Sequence, residues 1–233
     1  AGLVNRPENM PIRPARSGPV NVEHLMSSTE HVQSSLRAGV GEILLNRPEE
    51  LNALSFPMIE ALDRQLTAWA EDPKVASIAL RGKGIQAFCA GLDQRALYQA
   101  LRDGDLDYGR NFFRRYYQLL HRLANYPKPT LAVMDGATMG GGAALAMFCQ
   151  KRVATRNTYF ALTDCKMGFF PDSGAGMYLQ RCPGETAMFL ALTGLALRGR
   201  GLIHAGLATH LVPEDQVHLI TPLFGYKLAS LPP

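Results

Sequence analysis

The distribution of apolar positions changes at about residue 39 of the 233-residue chain. Residues 1–38, "AGLVNRPENMPIRPARSGPVNVEHLMSSTEHVQSSLRA", hold Pro, Ser and Asn without an apolar period, which predicts a flexible N-terminal lead. Beyond it, short apolar runs alternate with stretches of helical spacing, the behaviour of an α/β domain. "GVGEILLN" (39–46), "VASIALRG" (75–82), "PTLAVMDG" (129–136) and "RNTYFALT" (156–163) read as strands. A helix from about Pro57 places Met58, Ile59, Leu62, Leu66 and Trp69 on one face, and residues 108–126 repeat the pattern at Phe112, Tyr116, Leu119, Leu120 and Leu123. "ATMGGGAALAMFCQ" (137–150) leads three glycines into an Ala-rich helix, and "GETAMFLALTG" (184–194) is a further helix with a Gly stop. The predicted organisation is a lead (1–38), a core (39–215) and the start of a C-terminal helical segment (216–233).

Composition narrows the class. With 47% hydrophobic and 19% charged residues the chain builds a sizeable core, and a net charge of +4 from scattered Lys and Arg supports no nucleic-acid surface. No apolar run approaches the ~20 residues of a membrane span, so no membrane partner is expected. Cys89, Cys149, Cys165 and Cys182 lack CxxC spacing and have no His at ligand spacing, which predicts free thiols in a reducing compartment and no metal site. A soluble, cytoplasmic protein is the expectation, with the mitochondrial matrix as the alternative: Arg6, Arg13 and Arg16 suit a transit peptide, whereas the repeated prolines oppose one.

Chemistry has few places to reside. Asp164 and Asp172 flank an apolar "MGFFP", which predicts two acids at the edge of a partly buried space. Each acid also has a structural reading, Asp172 as the N-cap of a following helix and Asp164 as a turn residue after a strand. "FCAGLD" (88–93) and "MGGGAA" (139–144) are two strand-to-helix turns rich in small residues, where backbone N–H groups are accessible and the helix N-terminus favours an anion. Aimed at one point, they would form an oxyanion hole. Close helix–strand packing would also explain the small residues.

In the order "GEILLNRPEELNAL" (41–54), "AFCAGLD" (87–93), "GATMGGGAALA" (136–146) and "GFFPDSGAGMYLQR" (168–181), the chain resembles the crotonase (enoyl-CoA hydratase/isomerase) superfamily over about residues 36–215. Within it, "FFPD", "MGGG" and "FLALTGLALRGRGLIHAGLATHLVP" (189–213) are similar to the 3-hydroxyisobutyryl-CoA hydrolase branch, and Ala144 stands where hydratases typically carry a glutamate.

The resemblance implies a spiral of ββα units with its C-terminal helical part shortened or missing. It implies an acyl-CoA thioester substrate, no cofactor other than the CoA of that substrate, and is compatible with a homo-oligomer. The oxyanion donors would be the backbone N–H groups of Leu92 and Gly141. Asp164 would attack the carbonyl or activate water where the branch carries Glu, and Asp172 would orient the substrate hydroxyl or the water. Substrate contacts would come from Ala90, Gly91, Asp93, Arg95, Gly140 and Arg115. Asp at 164 is shorter than Glu by about 1.5 Å, one C–C bond, and the branch's helix glutamate falls at "FFRRYY" (112–117), where this chain has Arg115 and Tyr116. Three functions follow: a thioester hydrolase, a hydratase or isomerase with Asp164 as sole acid/base, and a CoA-binding pseudoenzyme. His121, His204 and His210 read as surface or core residues, and Arg47 as positional.

Overall fold

The computed structural model describes residues 30–224. The first described strand, β1 (Val32–Arg37), runs antiparallel to β2 (Val40–Leu45), and Ala38 and Gly39 join them at φ 48° and 79°. Two central residues with positive φ make the tight hairpin loop whose twist matches its strands. The lead expected to reach residue 38 is therefore corrected, since Val32–Arg37 is sheet. Its alternation is hidden because the inward position is Ser34, buried against α1 (Phe56–Glu71), where its hydroxyl donates to Gln65 Oε1 at 3.0 Å. Residues 1–29 and 225–233, with the parts of the expected lead and C-terminal segment that fall on them, lie outside the described residues.

The chain continues through β3 (Ser77–Gly82), β4 (Ala87–Cys89), α2 (Gln94–Arg102), α3 (Leu106–Ala124), β5 (Thr130–Met134), β6 (Ala137–Met139) and α4 (Gly140–Met147). Then come β7 (Lys151–Ala154), β8 (Tyr159–Ala161), α5 (Ala175–Tyr178), α6 (Thr186–Thr193), β9 (Leu197–Arg198), α7 (Arg200–His204), β10 (His210–Leu211) and α8 (Val217–Leu223). A six-stranded sheet has the order β1-β2-β3-β5-β7-β10, and a four-stranded sheet the order β4-β6-β8-β9. Except for β1 with β2 and β8 with β9, neighbours are parallel. Three successive pairs, β3 with β4, β5 with β6 and β7 with β8, place one strand in the large sheet and the next in the small sheet before the chain returns through helix. That is the expected ββα spiral. The step from β5 to β6 is tight: Gly136 has φ +81°, and a Cβ there would lie 2.4 Å from the Gln86 carbonyl carbon.

Both long helices bury the faces read from the sequence: Met58, Ile59, Leu62, Leu66 and Trp69 on α1, and Phe112, Tyr116, Leu119, Leu120 and Leu123 on α3. α4 lies within the core and buries every residue from Gly141 to Met147, so it has no polar face. β7 escapes the apolar pattern because it opens Lys-Arg. Arg152 is nonetheless buried, its guanidinium donating to the carbonyls of Leu207 and Cys149 at 2.8 Å each, and burial lowers its pKa to about 10.

Candidate active site

The two Gly-rich turns meet. In the first, the Leu54 N–H donates to the Gly91 carbonyl at 2.8 Å and the Asp93 N–H donates to the Leu54 carbonyl at 2.9 Å. This parallel bridge pairs Leu92 with Leu54 through the neighbours of Leu92, so the N–H of Leu92 itself points to the opposite edge. Gly91 has φ +125°, and a Cβ there would sit 3.4 Å from the Met139 carbonyl oxygen and 3.7 Å from the Gly141 nitrogen. In the second turn Gly140 has φ +46° and opens α4, and the N–H of Gly141, in the first helical turn, has no intrahelical acceptor. A Cβ on Gly141 would lie 2.7 Å from Leu92 Cδ2. Leu92 and Gly141 are thus brought together as expected, with Ala90, Gly91 and Gly140 forming the backbone around them. Gly142 is tighter still, against backbone and not a side chain: a Cβ there would come within 2.2 Å of the Cys89 carbonyl oxygen.

The acids stand in contrasting surroundings. Asp164 follows β8 at the head of a 3-10 turn and is half-buried; burial first, and the charge of Asp172 after it, raise its pKa above the ordinary carboxyl value, against a lowering from its own backbone N–H. Asp172 accepts two hydroxyl hydrogen bonds, from Tyr117 to Oδ2 at 2.5 Å and from Ser173 to Oδ1 at 2.6 Å. Ser173 holds the left-handed φ of 50°. The fully buried Tyr116 donates to the Gly141 carbonyl at 3.0 Å, and its neighbour Tyr117 donates to Asp172, so adjacent residues of α3 link the second glycine turn to Asp172. Burial pushes the Tyr116 hydroxyl well up, and burial with the Asp172 contact does the same to Tyr117.

Two expectations need correction, and three further residues have settings of their own. Asp172 is not a side-chain cap: α5 has Gly174 at its N-cap, without a side-chain bond, and only the backbone carbonyl of Asp172 accepts from the Ala175 N–H, at 2.8 Å. The "MGFFP" run is not a buried hinge, because Met167, Phe169 and Phe170 are 50%, 48% and 63% exposed. Asp93 is committed to structure, accepting from Arg47 at 2.7 Å and capping α2 through the Ala96 N–H at 3.1 Å. Arg115 lines a separate polar cavity with Arg114, Tyr117 and His121, since two steps along a helix turn a side chain by roughly 200° from Phe113, which faces the first cavity. Arg95 projects from α2 and pairs with Glu50 at 3.4 Å.

Tyr116, Tyr117 and Ser173 are site residues that sequence reasoning misses. The only sequence signal for them is that the tyrosines occupy the helix where the branch carries Glu. Beside Leu92 and Asp172 opens a cavity of about 560 Å³ between α2, α3 and the 167–172 segment, walled largely by apolar side chains. Among the described residues no group of three or more His, Cys, Asp or Glu could hold a metal ion. The cysteines are free, with burial pushing the Cys89 and Cys149 thiols up to about 12.

A ββα spiral in which two glycine-rich turns pack against each other has the architecture of the crotonase superfamily. The chain belongs to the enoyl-CoA hydratase/isomerase family, whose model matches residues 40–225. It is 42% identical over 212 residues to the mitochondrial 3-hydroxyisobutyryl-CoA hydrolase of Gallus gallus, covering 88% of this chain and 54% of that protein. It is 40% identical over 192 residues to 3-hydroxyisobutyryl-CoA hydrolase 1 of Arabidopsis thaliana, covering 82% and 50%. The chain therefore spans about half the length of the curated relatives it matches. Among solved structures, an enoyl-CoA hydratase from Rhodobacter sphaeroides superposes with a TM-score of 0.82 at 33% identity, covering 87% of this chain and 60% of that one. A carnitinyl-CoA dehydratase from Mycobacterium thermoresistibile gives 0.81 at 34%, covering 88% and 62%.

Proposed function

We propose that this chain forms the catalytic core of an acyl-CoA thioester hydrolase of the 3-hydroxyisobutyryl-CoA type. The observation that carries the reading is the division of labour between the acids: Asp164 is half-buried with a raised pKa, while Asp172 is held as an acceptor by Tyr117 and Ser173. The names of the chicken and Arabidopsis relatives support it. So does Ala144, buried and without an acid where hydratases typically carry their second carboxylate.

In this mechanism the thioester carbonyl oxygen accepts from the N–H groups of Leu92 and Gly141. Ionised Asp164 takes a proton from water as the water oxygen bonds to the carbonyl carbon, and the oxyanion is stabilised where it forms. Collapse breaks the C–S bond, and the leaving CoA sulfur takes the proton back from Asp164, giving a carboxylic acid and free CoA. A carboxylate has about four acceptor positions, so Asp172 keeps capacity to orient a substrate hydroxyl or the water. The word mitochondrial in the names of the chicken and rat relatives favours the mitochondrion over the cytoplasm as the compartment.

The test is thiol release from 3-hydroxyisobutyryl-CoA, 3-hydroxypropionyl-CoA and crotonyl-CoA, measured side by side. Free CoA from the hydroxyacyl esters supports hydrolysis. The hydratase and dehydratase structures favour a second reading, water addition to an enoyl-CoA or its reversal, and crotonyl-CoA hydration without thiol release would establish it. CoA binding with neither reaction leaves the pseudoenzyme.

A further inference from the structure

We infer that the cavity beside Leu92 is an acyl-chain pocket suited to an apolar acyl group well beyond four carbons, with Gly109 as the residue that keeps it open. The inference rests on the proposed function in one respect, the placing of the thioester carbonyl at Leu92 and Gly141. Both Leu92 and Asp172 line the cavity, so a group leaving that carbonyl has direct access to it.

Size is the first argument. The cavity measures about 560 Å³. A hydroxyisobutyryl unit has roughly six non-hydrogen atoms, which at about 30 Å³ each, a water's share of liquid volume, occupy about 180 Å³. Most of the cavity would remain unfilled.

Polarity is the second. Leu97, Leu101, Leu106, Phe113 and Phe169 supply much of the wall. Its polar side chains are few and partly engaged: Gln94 lies 3.0 Å from the Met167 sulfur, Arg110 pairs with Asp107 at 3.4 Å, the Tyr98 ring lies under the Arg102 guanidinium, and Asp172, at the carbonyl end, accepts from Tyr117 and Ser173. The amide-bearing arm of CoA would lose hydrogen bonds to water here, whereas an alkyl or aryl chain would lose none. The chain, not the arm, is the better occupant.

Gly109 is the third. It lies within α3 and lines the cavity, and a Cβ built on it meets no atom within 4 Å. Glycine inside a helix is destabilising relative to alanine, and here a side chain would point into free space.

The experiment is calorimetric binding of non-hydrolysable S-butyl-, S-octyl- and S-dodecyl-CoA thioethers to the full 233-residue chain. Affinity should rise about fourfold per added methylene, the scale for burying a CH₂, until the cavity is filled. Gly109→Phe should flatten that slope so that dodecyl-CoA binds no tighter than butyl-CoA, whereas Gly109→Ala should keep it, with thermal melting verifying that both variants fold. Affinity independent of alkyl length, or a slope untouched by Gly109→Phe, overturns the inference and leaves the cavity to another occupant. If no thioester releases thiol while the length dependence persists, the hydrolase reading fails and the pocket stands. Thiol release with a flat slope has the opposite meaning: the hydrolase reading stands and the pocket fails. Failure of every thioether to bind overturns the pocket, while thiol release alone decides the hydrolase reading.

Discussion

Asp164 and Asp172 are both carboxylates, yet their surroundings differ. Two hydroxyl donors stabilise Asp172 as an acceptor, while burial and the charge of Asp172 raise the pKa of Asp164. A base works only when ionised, so thiol release should climb with pH through a value above the ordinary carboxyl range and then level. Asp172→Asn removes the neighbouring charge and should move that climb to lower pH; kcat/KM profiles of both proteins provide the check, and an unmoved climb counts against the coupling. Asp164→Asn should lower turnover by about 10²–10⁴, the scale of general-base catalysis. It should also raise the melting temperature near neutral pH. A raised folded-state carboxyl pKa adds stability below the unfolded pKa, and that stability is lost as pH rises through the folded value, so the gain from Asn should vanish in acid. Melting curves of both proteins across that window test the sign. Leu92, Gly141 and the two acids were legible because they fall in ordered motifs. Tyr117 was not, since it reaches Asp172 across 55 residues and no local pattern encodes such a contact.

At the scale of elements, neighbouring glycines at the start of α4 differ in what a side chain would meet, Leu92 at 141 and the Cys89 backbone at 142. Gly141→Pro removes one backbone donor in the first turn of α4, where the backbone tolerates proline, but its ring also meets Leu92, whose Cδ2 lies 2.7 Å from a Cβ at 141; turnover should fall by at least about 10²–10³, with the denaturant midpoint measuring the packing share. Near-normal kcat in a folded Gly141→Pro protein would end the oxyanion role of that N–H. Gly142→Ala meets the fixed Cys89 backbone at 2.2 Å and should instead cost about 1–3 kcal/mol of stability, as overpacking does, read from denaturant midpoints. The amphipathic helices α1 and α3 were readable to the residue because one face of each is buried. β1 and β7 were not, because Ser34 and Arg152 are buried through hydrogen bonds, which a hydrophobic pattern does not register. β9 and β10, of two residues each, are too short to carry a period.

Over the whole molecule, the six-stranded sheet has two faces with different duties. One packs with α1, α3, α4 and the small sheet into the core that positions the turns and acids. A second cluster comprises Val40, Ala79, Leu131, Val133 and Val153 of the large sheet with Val217, Ile220 and Phe224, so α8 starts the C-terminal segment by covering the sheet and not the site. The motif order implied the spiral through the resemblance, but this covering was not legible, since residues 217–224 show no turn or cap that says which surface they meet. The arrangement separates stability from chemistry. Phe224 is fully buried in a cluster separate from the one Leu92 packs against, so Phe224→Ala should cost about 3–5 kcal/mol, the scale for emptying a buried aromatic site. The midpoint of denaturant unfolding should fall accordingly, whereas kcat/KM for thiol release, measured well below the new melting temperature, should stay within about twofold, because a factor of ten in rate needs about 1.4 kcal/mol at the transition state. A large loss of kcat/KM with an unchanged midpoint would mean that α8 supports the site directly and that the two faces are coupled.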